Sequence, residues 1–247
     1  MIIEQTIEKL HQMKLFGMAN SVKDRISRPD HRELSLSDFL GLVVDDESIY
    51  RDNKRMQSRQ SSAKFKDKEA TVESVDCQVT RGINKSQLLE LAQLHWIKKR
   101  QNLAITGKTG VGKSWVAQAL GHQACREGLR TLFVRQPALV HATLHSKASG
   151  AFLTFLKRLH KTDLLIVDDL GASIMTDEVR RDFMEVIEDR HGIGATIITS
   201  QLPVAEWHDY FSGGRVADAI CDRLTRNAHR IELIGPSRRP KLADQLD

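Results

Sequence analysis

Gly107-Lys108-Thr109-Gly110-Val111-Gly112-Lys113-Ser114 decides how the rest of this chain is read. The stretch has the form G-x-x-x-x-G-K-[ST], in which backbone amides cradle the phosphates of a nucleotide. The apolar run Leu103-Ala104-Ile105-Thr106 enters it, and the helix-compatible run Trp115-Val116-Ala117-Gln118-Ala119-Leu120 leaves it. That is the strand–loop–helix setting the pattern requires. Glycine permits backbone conformations closed to other residues and leaves room for phosphate oxygens. Successive N–H groups and the N-terminus of the next helix then point at the anion. Lys113 is placed to reach the β- and γ-phosphates, and the Ser114 hydroxyl to ligate Mg²⁺.

A second signal is Leu164-Leu165-Ile166-Val167-Asp168-Asp169. Four aliphatic residues ending in two acids describe a buried parallel strand with carboxylates at its tip. Downstream of a phosphate loop, Asp168 is expected to hold Mg²⁺ with Ser114, directly or through water, and Asp169 to orient and polarise the attacking water. Further strands are expected over 131–134, 195–199 and 229–234, separated by helical stretches. The fourth strand runs into the polar pair Ser200-Gln201. Ligands in doubly wound sheets sit at the carboxyl ends of strands, so Gln201 is expected to face the γ-phosphate or its water. A short helix holding Leu88, Leu91 and Trp96 just before the loop either covers the adenine or packs under the sheet. His141 and His145 share a helix face, but with no glutamate after the first and no third ligand they read as surface or packing residues.

Upstream of this module, residues 1–28 place apolar side chains at mostly helical spacing, with Arg28-Pro29 as a stop. A second helix begins after Ser35 or Ser37, and its acids Asp45-Asp46-Glu47 read as a solvated face. From 51 to 68, Arg51, Lys54, Arg55, Arg59, Lys64, Lys66 and Lys68 meet only Asp52 and Asp67, a local balance of +5. This stretch is either a charged helix end and linker or an arm that neutralises nucleic-acid phosphates. The boundaries expected are a helical N-terminal domain over 1–60, a basic linker over 61–80, a nucleotide domain over 81–235 and a polar tail over 236–247.

Composition agrees with a globular α/β chain: 247 residues, 40% apolar and 28% charged, net charge +5. No apolar run approaches the ~18 residues of a membrane span. Met1-Ile2-Ile3-Glu4 lacks the basic-then-apolar layout of a signal peptide. Cys77, Cys125 and Cys221 are too scattered for a disulfide framework, so a reduced, cytoplasmic setting is expected.

The nucleotide module resembles AAA+ ATPases of the DnaC/DnaI/IstB group. The likeness rests on the loop, on the strand ending in Asp168-Asp169-Leu170-Gly171, and on Thr199-Ser200-Gln201-Leu202-Pro203-Val204-Ala205-Glu206-Trp207-His208. Ala219-Ile220-Cys221-Asp222-Arg223-Leu224 and Asn227-Ala228-His229-Arg230-Ile231-Glu232-Leu233 extend it, and the stretches 199–208 and 227–233 favour the IstB-like transposition helpers over a helicase loader. The resemblance implies an AAA+ core with a parallel five-stranded sheet flanked by helices, plus a small helical N-terminal domain. It implies ATP and Mg²⁺ as cofactors, hydrolysis of ATP, and Gln201 at the sensor position. Arg223 is then the arginine finger acting on an adjacent copy, with Arg226 and Arg215 as rivals. The implied partners are double-stranded DNA, a cognate transposase and further copies of the chain, with no membrane. Many AAA+ relatives carry Asp-Glu where this chain has Asp168-Asp169, which points to slow hydrolysis. A helicase loader that binds single-stranded DNA is the alternative, and a nucleotide-switch adaptor that barely hydrolyses ATP is a third reading.

Overall fold

A computed structural model describes residues 2–27 and 35–238; the expected stop at Arg28-Pro29 and most of the 236–247 tail lie outside them. The chain divides into two compact units, Met1–Ser58 and Arg59–Asp247.

The smaller unit holds α1 (Ile2–Gln12), α2 (Phe16–Ile26) and the first part of α3, which runs Leu36–Ala63. The single helix expected over 1–28 is therefore two. The chain turns at Lys14, which takes a left-handed backbone (φ 61), and the N–H of Leu15 closes on the carbonyl of Leu10 at 2.8 Å. This is a helix-ending geometry usually given to glycine, so helical spacing alone does not reveal it. Gly17 lets α2 and α3 cross closely: a Cβ there would stand 2.7 Å from the Asp46 carbonyl oxygen and from Cβ of Tyr50. The acids 45–47 are not all a solvated face. Glu47 is buried and accepts from the Met18 amide at 3.0 Å, while Asp46 accepts from Ser21 and from Arg25.

The larger unit is a five-stranded sheet in the order β2-β3-β4-β1-β5, with every neighbouring pair parallel. Its strands are β1 (Leu103–Gly107), β2 (Thr131–Arg135), β3 (Leu164–Leu170), β4 (Ala195–Ser200) and β5 (His229–Leu233). Around them stand α4 (Lys85–Ala92), α5 (His95–Lys98), α6 (Lys113–Arg126), α7 (Gln136–Ala148), α8 (Phe152–His160), α9 (Asp177–Arg190), α10 (Trp207–Tyr210) and α11 (Gly214–Thr225). Successive strand residues point to opposite faces, and the two cores obey this. Leu164, Ile166 and Ile105 join one cluster with Leu88, Leu91, Trp96 and α6. Leu165, Val167 and Ala104 join the other with α9 and α11. Leu88, Leu91 and Trp96 thus pack under the sheet, the second of the two readings for that helix.

The stretch 61–80, expected as a linker, is packed onto this unit. Ala70, Val72 and Val75 are core residues, and the Phe65 ring lies 4.1 Å from that of His122. Gln118, fully buried on α6, accepts from the amides of Lys66 at 2.7 Å and Asp67 at 2.8 Å. Its own amide donates to the Asp67 carboxylate at 2.7 Å. A glutamine among helical residues reads as surface; here it is the docking point for another segment's backbone. Among the described residues no helix is long and apolar enough to cross a membrane. Gln118→Leu strands two amides and should lower the unfolding free energy by about 2–4 kcal/mol in urea titration. A loss below about 1 kcal/mol would show that water replaces the glutamine.

Candidate nucleotide-binding site

β1 delivers the chain into the loop at Gly107, whose φ of 141 brings its Cα against β5: an added Cβ would lie 2.2 Å from the Leu233 carbonyl oxygen. Gly110 and Gly112 also carry positive φ, 84 and 104, and α6 starts directly at Lys113. Lys113 is buried, and its ammonium donates to the carbonyls of Gly107 at 2.7 Å and Lys108 at 2.9 Å. A loop so tightly turned ahead of a fourteen-residue helix sets amide donors and the positive helix end around one place. That is the arrangement a polyphosphate fits.

The acids sit at the tip of β3. Asp168 is buried and accepts from the Thr199 hydroxyl of β4 at 2.6 Å, and the Ser114 hydroxyl also donates to it. Burial raises its pKa above the usual carboxylate range, and the Ser114 and Thr199 hydroxyls pull it part of the way back. Ser114 and Asp168 together form an oxygen-only donor pair at the loop, which fits Mg²⁺. Among the described residues no three His, Cys, Asp or Glu side chains cluster as a metal site of their own.

Asp169 takes a left-handed backbone (φ 60), and the β3–β4 register shifts between Val167 and Leu170. Its amide donates to the Thr199 hydroxyl at 3.0 Å. Its carboxylate accepts from Arg135, at the end of β2, at 3.1 Å. Gln201 touches the phosphate loop: its side-chain oxygen accepts from the Thr109 hydroxyl at 2.7 Å. The structure therefore gathers Lys113, Ser114, Asp168, Asp169 and Gln201 at one end of the sheet.

Arg223 is elsewhere. Its carbonyl accepts from Asn102 at 2.8 Å, and Asn102 immediately precedes β1. Five residues of strand, about 16 Å at ~3.3 Å each, separate that end from the loop. This exceeds the length of an arginine side chain. Arg223 is ion-paired with Glu188 of α9, which raises its pKa further. Of its rivals, Arg226 pairs with Asp222 at 3.7 Å and Arg215 is exposed near the start of α11.

The basic stretch is partly committed. Arg51 bonds Glu47 at 2.6 Å and Arg55 bonds Asp52 at 3.3 Å, while the Lys54 ammonium lies 5.2 Å from the Phe16 ring centroid. Arg59, Lys64 and Lys66 have no ion pair among the described residues; Lys64 ends α3 with a φ of 60. Two site residues escape a reading of the sequence. Arg135 carries a visible signal, a lone cation closing an apolar strand. Thr199 carries none, because a strand threonine looks like any other β-branched residue.

Comparison with known proteins agrees with this geometry. A protein-family model described as IstB-like ATP binding protein matches residues 8–245. An insertion-sequence ATP-binding protein of Sinorhizobium fredii is 40% identical over 239 residues, 97% of each chain. The ATP-binding protein of insertion sequence IS1162 from Pseudomonas fluorescens is 41% identical over 203 residues, 82% of this chain and 88% of that one. The crystal structure of the DnaC helicase loader is similar at TM-score 0.57 and 20% identity, over 68% of this chain and 98% of that one. That of DnaI is similar at TM-score 0.57 and 22% identity, over 73% and 99%. At such identities the structural likeness speaks for the fold alone. The chain therefore belongs to the IstB-like ATP-binding family, built on a parallel-sheet phosphate-loop core.

Proposed function

We propose that this chain is a Mg²⁺-dependent ATPase whose copies assemble head to tail on duplex DNA and present that DNA to the transposase of an insertion sequence. The observation that carries the reading is the separation of Arg223 from its own phosphate loop by the length of β1. In this reading Arg223, out of reach of its own loop, serves the nucleotide of a second copy. Such a contact joins two different surfaces, so it repeats into a ring or a helix. Relatives named for insertion sequences support mobile DNA as the setting.

In this reading Lys113 and the loop amides bind the phosphates, and Ser114 and Asp168 hold Mg²⁺, which neutralises phosphate charge when bound. Asp169 orients the attacking water once Arg135 releases its carboxylate. Gln201, through Thr109, contacts the γ-phosphate side of the loop. Arg223 of the next copy places its guanidinium on the transferred phosphoryl group. Asp169 is one methylene shorter than glutamate and is held by Arg135, so turnover is slow and the assembled state persists. Three residues of the basic stretch, Arg59, Lys64 and Lys66, none of them in an ion pair among the described residues, contact DNA phosphates.

Arg223→Ala should keep ATP affinity while hydrolysis falls about 10³-fold. Mixing it with Asp169→Asn protein should restore activity; equal inactivity of the mixture would contradict a shared site. Replacing Arg59, Lys64 and Lys66 with alanine should flatten the salt dependence of duplex binding by ~0.9 in log–log slope per lost contact. An unchanged slope, or tighter binding of single strands, would favour a loader. Asp168 has a raised folded pKa, so its ionised form costs stability that grows as pH rises through the unfolded value towards the folded one. Asp168→Asn should therefore raise the melting temperature of the nucleotide-free protein at pH 7 while abolishing hydrolysis. A lowered melting temperature would show that the ionised carboxylate stabilises the fold.

A further inference from the structure

Two peptide groups of the phosphate loop are gripped from outside. The Arg81 guanidinium donates to the Val111 carbonyl at 2.7 Å, and the Arg238 amide donates to the Gly110 carbonyl at 2.9 Å. Arg81 is well placed for this: its side chain is only 12% exposed, and its other terminal nitrogen donates to the Asp76 carbonyl at 2.7 Å. Its own carbonyl accepts from the Ile234 amide at 3.0 Å, just past β5. Asp76 in turn is ion-paired with Arg238. Beside it, Gly82 has a φ of 77, and a Cβ there would stand 1.8 Å from the Glu232 carbonyl oxygen. Arg81 is therefore locked to β5 by its backbone and reaches the loop with its side chain.

A trans peptide is planar, so its C=O and N–H point in opposite directions. Holding the Val111 carbonyl towards Arg81 turns the Gly112 N–H away from Arg81, to the anion side of the loop. Gly112, at φ 104, would otherwise be free to rotate that peptide, since glycine has the widest choice of backbone conformations. The hold on Gly110 does the same for the Val111 N–H.

We infer that Arg81 is a positioning residue for nucleotide binding: by fixing the Val111–Gly112 peptide it keeps an amide donor aimed at the phosphates. The inference rests on the reading of the loop as the phosphate site and adds a residue with no place in the G-x-x-x-x-G-K-[ST] pattern. Arg81 acts on the phosphate end and not on the base, so its removal weakens a ligand that has no base. Lysine carries the charge but cannot make two divergent bonds in one plane.

The test is competition of ATP and of inorganic tripolyphosphate against a fluorescent ATP analogue, with Mg²⁺, in the full chain. Arg81→Ala should weaken both ligands by the same factor, about tenfold. Arg81→Lys should fall between, and guanidinium ion at millimolar concentration should restore part of the loss in Arg81→Ala only. The hydrolysis rate at saturating ATP should change less than twofold. Loss for ATP with tripolyphosphate unchanged would overturn the proposal and assign Arg81 to the base or ribose, and unchanged affinity for both would overturn it outright. Should the alanine variant fail to fold, Arg81→Lys and Arg81→Gln carry the same comparison. Failure of the unsubstituted protein to bind either ligand would instead remove the reading of the loop itself.

Discussion

One buried hydroxyl holds the site together. Thr199 donates to the Asp168 carboxylate and accepts from the Asp169 amide, so the tips of β3 and β4 are fixed to one another through a single oxygen. A carboxylate taken out of water costs free energy unless its lone pairs are met. Thr199 and Ser114 meet those of Asp168. The strain of this arrangement falls on the backbone. β3 shifts its register against β4 and Asp169 adopts a left-handed conformation, of the kind held in place only where the surroundings dictate it. The two consecutive acids thereby leave the alternation of a regular strand, and the second one turns to Arg135.

The two arginines of the proposed cycle are each held by an acid. Arg135 is paired with Asp169 and Arg223 with Glu188. In the proposed cycle both pairs must open, one within a copy and one as the next copy docks. Neither pair is fully buried: Arg135 is 58% exposed and Glu188 50% exposed at the side chain. Ion pairs at such exposure contribute modestly to stability, so a phosphate can compete for the guanidinium without dismantling the fold. Arg81 is the contrast, a largely covered guanidinium that donates to two backbone carbonyls as well as facing the Asp76 carboxylate at 3.5 Å. It suits a fixed brace better than a switch.

Much of the core is legible in the chain's residue pattern. The five strands, the loop, the acids at the tip of β3 and the end of β4 at Gln201 follow from apolar runs punctuated by glycine and charge. What is not legible has a common physical cause. Lys14, Lys64 and Asp169 take left-handed conformations without being glycine, so composition gives no sign of the turn. Gln118 and Glu47 are buried polar side chains whose partners lie 51 and 29 residues away, and no local window contains both ends. The segment 61–80 resembles a linker because charged and polar residues separate its apolar ones. Phe65, Ala70, Val72 and Val75 among the latter dock on the core.

The central claim is that the nucleotide site is completed by a second copy. The most direct measurement is the ATP hydrolysis rate per subunit across a dilution series on duplex DNA, with the assembly state followed in parallel by sedimentation. A site shared between copies predicts a rate per subunit that rises with protein concentration and reaches its plateau as the oligomer forms. A rate per subunit that stays constant down to concentrations at which the protein sediments as a monomer would contradict it.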